Sequence, residues 1–321
     1  MSNLLSLNSI LRSLDIYLGE NQLRYTFCFS FSIEHYLYLA FRVIDNYSGS
    51  LNFNWRNNWS HIEVYAYRLD AQRFELGVSI LGEFDSLDRR FSIEDPRMQI
   101  TAERINLICC SWGTHRKPFQ TVFGLTKNLE VVDCCIPNFN QNGIGHPEKN
   151  WVPFSGIPYF VYSLCPKVTI LDSSWCQYLE GPGIEWEYGK PHCGSNLVFY
   201  REHWIGFFHS SIDSERSSLF KYPSIYKLGV YALKNVEGEG IRIQLKEASS
   251  LFPESSTDRF FPGSASVKVC FAFEILSSAV VIGLGIDDCS CRFEMITLDR
   301  WDNFLDELLF DRVEDGDRSI D

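Results

Sequence analysis

Basic charge is scarce in this chain. Its 29 Lys and Arg face 41 Asp and Glu, for a formal net charge of -12. No compensating basic patch is visible along the sequence, which argues against nucleic acid or a polyanionic surface as partner. A small anionic ligand is still compatible, because a pocket can be locally basic on an acidic protein. Long apolar runs are missing too. No uncharged stretch reaches the length of a membrane span. The first residues, Met1 to Leu5, carry no basic segment, and Arg12 and Asp15 interrupt the apolar run after them, so no signal peptide is expected. The 11 cysteines contain no CxxC pair, which excludes zinc-ribbon spacing. Many sit inside apolar runs, where a free thiol behaves as a small hydrophobe. A reducing, cytoplasmic compartment is therefore expected. No linker or break in composition divides the chain, so one domain is expected over residues 1–321.

What is present is aromatic and strand-forming. A polar cluster precedes a strongly β-forming run three times. Glu94-Asp95-Pro96-Arg97 leads to Ile105–Cys110, Glu148-Lys149-Asn150 to Tyr159–Tyr162, and His192–Asn196 to Trp204–His209. The separation within each unit is that of a hairpin, and the unit recurs roughly every 45 to 55 residues, the period of a propeller blade. Further strands are expected over Tyr25–Val43 (two, with a tight turn), Ser60–Tyr67, Phe74–Phe84, Thr121–Leu125, Val168–Leu171, Tyr226–Leu233, Lys268–Glu274 and Ala279–Gly285. Five strand-rich units fill the chain, and the expected fold class is all-β, a five-bladed β-propeller. Residues 1–24 read as a short helix or a lead-in strand. Leu298–Leu309 has helical spacing before an acidic tail.

Several residues in these clusters carry chemistry, and each also has an ordinary structural reading. Asp95 beside Arg97 suits a general acid, or equally a turn-stabilising ion pair. Lys149 could be a solvated loop lysine. With Asn150 and Trp151 it would offer a point charge for a phosphate, a donor, and an aromatic face for a sugar ring. His209 ends an apolar strand, where histidine is more often a satisfied core residue, although Ser210 and Ser211 beside it suggest a polar rim. Arg42 lies in an apolar strand and requires an anion or water for its guanidinium. The spacing of His192, Cys193 and His209 matches no metal-ligand pattern, and no metal is expected.

Glu94-Asp95-Pro96-Arg97 resembles the EDPR signature of glycoside hydrolase family 130, which contains mannoside phosphorylases and mannosidases on a five-bladed propeller. Related glycosyltransferases share the scaffold. Other segments continue the likeness in order: Phe41-Arg42 with Ser60-His61-Ile62, then Lys149–Phe154, Trp204–His209 and Gly285-Ile286-Asp287-Asp288. The resemblance implies an enzyme that makes or cleaves a mannoside-type glycosidic bond. It places Asp95 as the general acid, Arg42, Lys149, Asn150 and His209 around a phosphate or phosphate-bearing donor, and Arg97, Trp151, Asp287 and Asp288 around the sugar. Its partners would be a carbohydrate and a sugar phosphate or nucleotide sugar. No cofactor is implied beyond a divalent cation carried by a nucleotide sugar. Tyr162–Pro166 departs from the pattern: phosphorylases have an Arg there and this chain has none, which weighs against simple phosphorolysis. Hydrolysis on the same scaffold and a non-catalytic sugar-binding propeller are the alternatives.

Overall fold

A computed structural model of the chain describes residues 7–12, 23–31, 35–44, 60–81, 83–84, 89–90, 92–112, 118–137, 150–213, 224–236, 240–252, 268–286 and 290–310. The chain is a five-bladed β-propeller with a short C-terminal helix. Blade 1 is the meander β1 (Leu23–Phe31), β2 (Tyr36–Ile44), β3 (Ser60–Arg68) and β4 (Arg73–Ile80). A two-strand ribbon, β5 (Glu83–Phe84) and β6 (Arg89–Arg90), precedes blade 2. That blade holds β7 (Ser92–Ile100), β8 (Ile105–Trp112), β9 (Pro118–Leu125) and β10 (Val131–Cys135). Blade 3 is β11 (Val152–Pro153), β12 (Phe160–Ser163), β13 (Lys167–Leu171) and β14 (Gln177–Pro182).

In blade 4 the inner strand comes in two pieces, β15 (His192–Cys193) and β16 (Val198–Tyr200). Both pair with β17 (His203–Asp213), beyond which lie β18 (Ser224–Val236) and β19 (Gly240–Glu247). Blade 5 is β20 (Lys268–Ile275), β21 (Ala279–Ile286) and β22 (Ser290–Thr297), and runs directly into helix α2 (Leu298–Phe310). Within the lead-in segment, residues 7–12 form helix α1.

The blades contact one another in sequence, and β20 and β1 close the ring. Middle strands are buried from both sides by neighbouring blades. Leu37–Ile44 of β2 is buried throughout, which is why these segments read as continuous apolar runs. Outer strands such as β10 are mostly exposed. Asn8 of α1 caps the outer strand of blade 5. Its side chain donates to the Phe293 carbonyl (3.1 Å) and accepts from the Phe293 N–H (3.0 Å). Helix α2 sets Trp301 against Phe207 and Phe273, with ring centroids 6.0 and 5.9 Å apart, and so closes the core between blades 4 and 5.

One consequence of this topology positions the site. Each blade is an antiparallel meander laid out from the axis in chain order, so all inner strands run in the same sense. The N-terminal ends of the inner strands therefore share one rim, the upper rim, with the C-terminal ends of the second strands. Arg42, Asp95, Asn150 and His209 all map to that rim.

The lower rim carries a half-buried acid. Glu274, near the end of β20, accepts a hydrogen bond from the Ser30 hydroxyl of β1 at 2.9 Å. Burial pushes its carboxyl up from 4.5 to about 7, with the Ser30 bond opposing the rise. The folded chain thus keeps a proton that the unfolded chain releases. Stability from this group is full below about pH 4.5 and is lost as pH rises to about 7. Urea denaturation across that window should show the midpoint of the native protein falling with pH relative to Glu274→Gln, which lacks this contribution to the slope.

Candidate active site

Asp95 lies on the inner strand of blade 2. Between Glu94 and Arg97 that strand spends two residues where β8 spends one, which makes a bulge at Asp95-Pro96. Pro96 has no N–H to give a ladder, so a bulge is where proline fits. Asp95 itself is left-handed, with φ 53°. Asp tolerates this better than most residues, yet it is strained, and such strain collects at functional positions. The bulge re-aims the Asp95 side chain out of the strand's alternation. Among the described residues its carboxyl accepts no hydrogen bond and joins no ion pair, and the residue is half-buried.

Arg97 does not pair with that carboxyl. It is 1% exposed. Its guanidinium donates from Nη1 to the backbone carbonyl of Asp95 (2.6 Å) and from Nε to the carbonyl of Gly194 in blade 4 (2.5 Å). It also lies 4.4 Å from the centre of the Phe271 ring in blade 5. Burial lowers its pKa, with the Asp95 charge opposing. The sequence placed Arg97 around the sugar; here Nε and Nη1 are engaged, and Nη2 has no partner among the described residues. Its hydrogen bonds go to main chain, because its side chain runs inward from β7 across the axis, and there it fixes the backbone that carries Asp95. Gly194 makes this possible. A Cβ there would come within 2.8 Å of the Cys270 carbonyl and 2.9 Å of the Phe207 carbonyl.

Arg42 finds its anion inside the protein. Its Nη2 lies 2.6 Å from the Glu94 carboxylate, and its Nε donates to the Ser60 hydroxyl at 3.1 Å. The Glu94 carboxylate also accepts from the Trp112 indole N–H. Ser60 in turn meets Ser92 at 2.7 Å and donates to the Ile93 carbonyl at 2.8 Å, tying blade 1 to blade 2. The sequence placed Arg42 beside a phosphate; in the structure Glu94 already meets its charge. The sequence named Glu94 and Ser60 only as members of their segments and gave neither a role; the need of Arg42 for an anion was the available signal.

Asn150, just before β11, is half-buried and also left-handed, with φ 66°. The other left-handed residues that are not glycine (His35, Gln72, Leu129, Trp175, Arg201, Glu202) lie in tight turns between paired strands. Asp95 and Asn150 do not: Asp95 sits at the bulge in the first half of β7 and Asn150 just before β11, both towards the upper rim. Trp151 corrects a second expectation. It is 1% exposed and wedged between blades 2 and 3, among Ile108, Val122, Phe160 and Leu171. Its ring meets Tyr162 edge-on at 5.3 Å. No face is left for a sugar, because the left-handed turn at Asn150 directs the next side chain into the blade junction.

His209 pairs in register with His192, with ring centroids 5.8 Å apart, and stacks on Tyr226 at 6.2 Å. It is half-buried, beside Ser210, whose hydroxyl accepts from the Trp186 indole at 2.9 Å. Cys193 projects to the opposite side and is buried. Burial raises its thiol to about 12, and that of Cys28 equally. Among the described residues no three His, Cys, Asp or Glu side chains are grouped to hold a metal. Lys149, Asp287 and Asp288 lie outside the described residues.

No family model matches the chain, and no curated protein matches it by sequence. Solved structures do match. A β-1,2-mannobiose phosphorylase from Listeria innocua, in complex with β-1,2-mannobiose, has a TM-score of 0.61 at 13% identity, over 91% of this chain and 94% of that one. A structure from the GH130 family of mannoside phosphorylases, which contains hydrolases of β-1,2-mannosidic linkages in Candida mannan, has a TM-score of 0.63 at 11% identity, over 88% and 86%. The chain resembles glycoside hydrolase family 130 in fold. A mannose phosphorylase from Leishmania mexicana, in complex with phosphate, has a TM-score of 0.52 at 11% identity, over 87% and 85%. At these identities the likeness establishes the propeller and leaves the chemistry to the residues of this chain. The local features of this chain at the upper rim are the Asp95 bulge and the left-handed Asn150.

The burial of Trp151 has a measurable consequence. Trp151→Ala should cost about 3–5 kcal/mol of stability, as large-to-small core substitutions do. Denaturant unfolding checks this. A residue offering an exposed face to a sugar would cost much less.

Proposed function

We propose that the protein makes or cleaves a glycosidic bond to mannose or a similar hexose at the upper rim, with Asp95 as general acid. The observation that carries this reading is the Asp95 bulge. It holds a carboxyl in a strained conformation, with its main chain pinned by Arg97 and its side chain unengaged among the described residues. A structural aspartate would spend its carboxyl on a cap or an ion pair, and Asp95 does neither there. Proton donation to the bridging oxygen assists departure of the leaving group as positive charge builds on the sugar ring.

Asn150 supplies hydrogen bonds from a fixed backbone position, and His209 a half-buried imidazole backed by His192 and Tyr226. With Lys149 they form the proposed subsite for a phosphate-bearing donor. There a lysine would offset the charge that grows on a departing phosphate. Asp287 and Asp288 are proposed to hold sugar hydroxyls. In this reading the enzyme transfers the sugar from a sugar phosphate or nucleotide sugar to an acceptor: the bond to the phosphate oxygen breaks, the bond to the acceptor oxygen forms, and the acceptor's hydroxyl proton passes to the Asp95 carboxylate, the reverse of the donation step.

A second reading is hydrolysis on the same scaffold. The Arg42–Glu94 pair favours it, because it commits one rim cation to a carboxylate and so weakens the case for a bound phosphate. Tyr162–Pro166, which lacks an arginine, points the same way.

Phosphorus NMR with mannose 1-phosphate and with GDP-mannose, each against a panel of sugar acceptors, separates these readings. Acceptor-dependent release of phosphate or GDP is the expected result. Cleavage of mannosides in phosphate-free buffer, without a sugar phosphate product, supports hydrolysis instead. In either case Asp95→Asn should abolish turnover and leave the fold intact; a folded variant that turns over normally would remove Asp95 from the role. Phosphate should raise the melting temperature of the native protein, and Lys149→Ala should remove that shift.

A further inference from the structure

The lower rim of blades 3 and 4 carries a chain of touching aromatic rings. Tyr178 lies 4.6 Å from Tyr159, Tyr159 lies 6.4 Å from Phe154, Phe154 lies 4.9 Å from Trp204, and Trp204 lies 5.0 Å from Phe199 (ring centroids throughout). The middle of the chain is sunk and its two ends are not. Phe154 is 4% exposed, whereas Tyr178 and Phe199 are 56% and 57% exposed. No other aromatic side chain among the described residues stands as far out.

The strip is held rigid from beneath. Phe154 forms a parallel bridge with Leu197, the Ser155 N–H donates to the Leu197 carbonyl at 2.7 Å, and the Leu197 N–H donates to the Pro153 carbonyl at 2.9 Å. Backbone bonds thus stitch blade 3 to blade 4 directly under the rings. Phe199 and Trp204 are cross-strand partners in the β16–β17 hairpin, whose turn residues Arg201 and Glu202 are anchored to Asp306 (2.6 Å) and Lys234 (3.0 Å). Single exposed rings are ordinary on a protein surface; what sets these two apart is that continuous ring contacts join them on one rigid support.

We infer that this strip is a second carbohydrate-binding surface, remote from the upper rim, that grips a neutral polysaccharide by stacking sugar faces on Tyr178 and Phe199. A hexose offers a face of C–H bonds to the electron-rich face of an aromatic ring, and its hydroxyls stay in water or meet a tyrosine hydroxyl. Two exposed rings are too little area for a stable protein interface. A single-stranded nucleic acid would also stack on rings, but its phosphates would meet a protein of net charge -12 and the exposed Glu202. An uncharged glycan meets neither obstacle. The choice of a sugar as ligand leans on the function proposed above; the strip stands on geometry alone. Such a surface would hold a long substrate on the enzyme while the upper rim works on it.

Affinity gel electrophoresis in soluble mannan and in glucomannan tests this with three proteins: native, Tyr178→Ala/Phe199→Ala, and Asp95→Asn. Native protein should be retarded in at least one polysaccharide. The double variant, altered only at exposed side chains, should bind about tenfold more weakly, with turnover of a small soluble substrate unchanged. Asp95→Asn should be retarded like the native protein. Equal retardation of native and double variant overturns the inference, as does free migration of native protein in both gels. A native dimer that the double variant converts to monomer also overturns it, and assigns the strip to a second copy of this chain. An active Asp95→Asn together with a double variant that no longer binds would remove the assignment of the acid and leave the strip in place.

Discussion

A buried guanidinium at the centre of the ring sets the terms for everything around it. A propeller brings inner strands together about an axis where there is little room and little water, and their main-chain groups still need partners. Arg97 meets that constraint with one side chain. It leaves blade 2, satisfies a carbonyl of blade 4, rests on a ring of blade 5 and folds back to hold the carbonyl of Asp95. The split of the blade 4 inner strand at Gly194 is the matching concession, since the carbonyl must turn towards the axis to be reached. Main-chain carbonyls and an aromatic face replace part of the water around its charge, while Nη2 is left without a partner among the described residues.

The same arrangement explains why the proposed acid can be held firmly in place without being neutralised. An ion pair with Arg97 would commit the Asp95 side chain to the protein. By gripping the main chain instead, the arginine supplies rigidity and leaves the carboxyl for the ligand. Glu94, one residue earlier, follows the opposite course. It faces the junction with blade 1 and is consumed by Arg42, Ser60's partner, and by Trp112. Two adjacent carboxylates thus take different parts because the strand alternates at one and bulges at the other.

The blades were legible in the sequence because their middle strands are buried on both sides and so read as unbroken apolar runs. The repeat was legible because each polar cluster heads an inner strand at the same rim. What could not be read was the direction of individual side chains. Trp151 looks like a sugar platform beside Lys149 and Asn150, and only the left-handed turn at Asn150 shows that it points into the blade junction. Arg97 looks like a ligand residue next to Asp95, and only the bulge shows that the two side chains part company. Arg42 was correctly seen to need an anion; that the anion is Glu94 depends on the contact between blades 1 and 2, which no local pattern encodes. The aromatic strip has no signature in the sequence, because its members come from hairpins in two blades and are neighbours only once the ring is closed.

The outer circumference of such a ring is a set of strand edges, each able in principle to pair with another chain. Here the edges are dressed in different ways. Blade 5 is covered at Phe293 by the side chain of Asn8, which occupies both main-chain groups that a foreign strand would use. Blades 1 and 3 place ion pairs on theirs, Arg73 with Glu75 and Lys167 with Glu180. Blade 2 is the outlier, with Val131 and Val132 exposed on β10 and one charged pair, Arg104 with Asp133, beside them. A protein that must stay dispersed therefore leans on its acidic excess as well as on its shape: two copies approaching edge to edge carry like charge long before their backbones can meet.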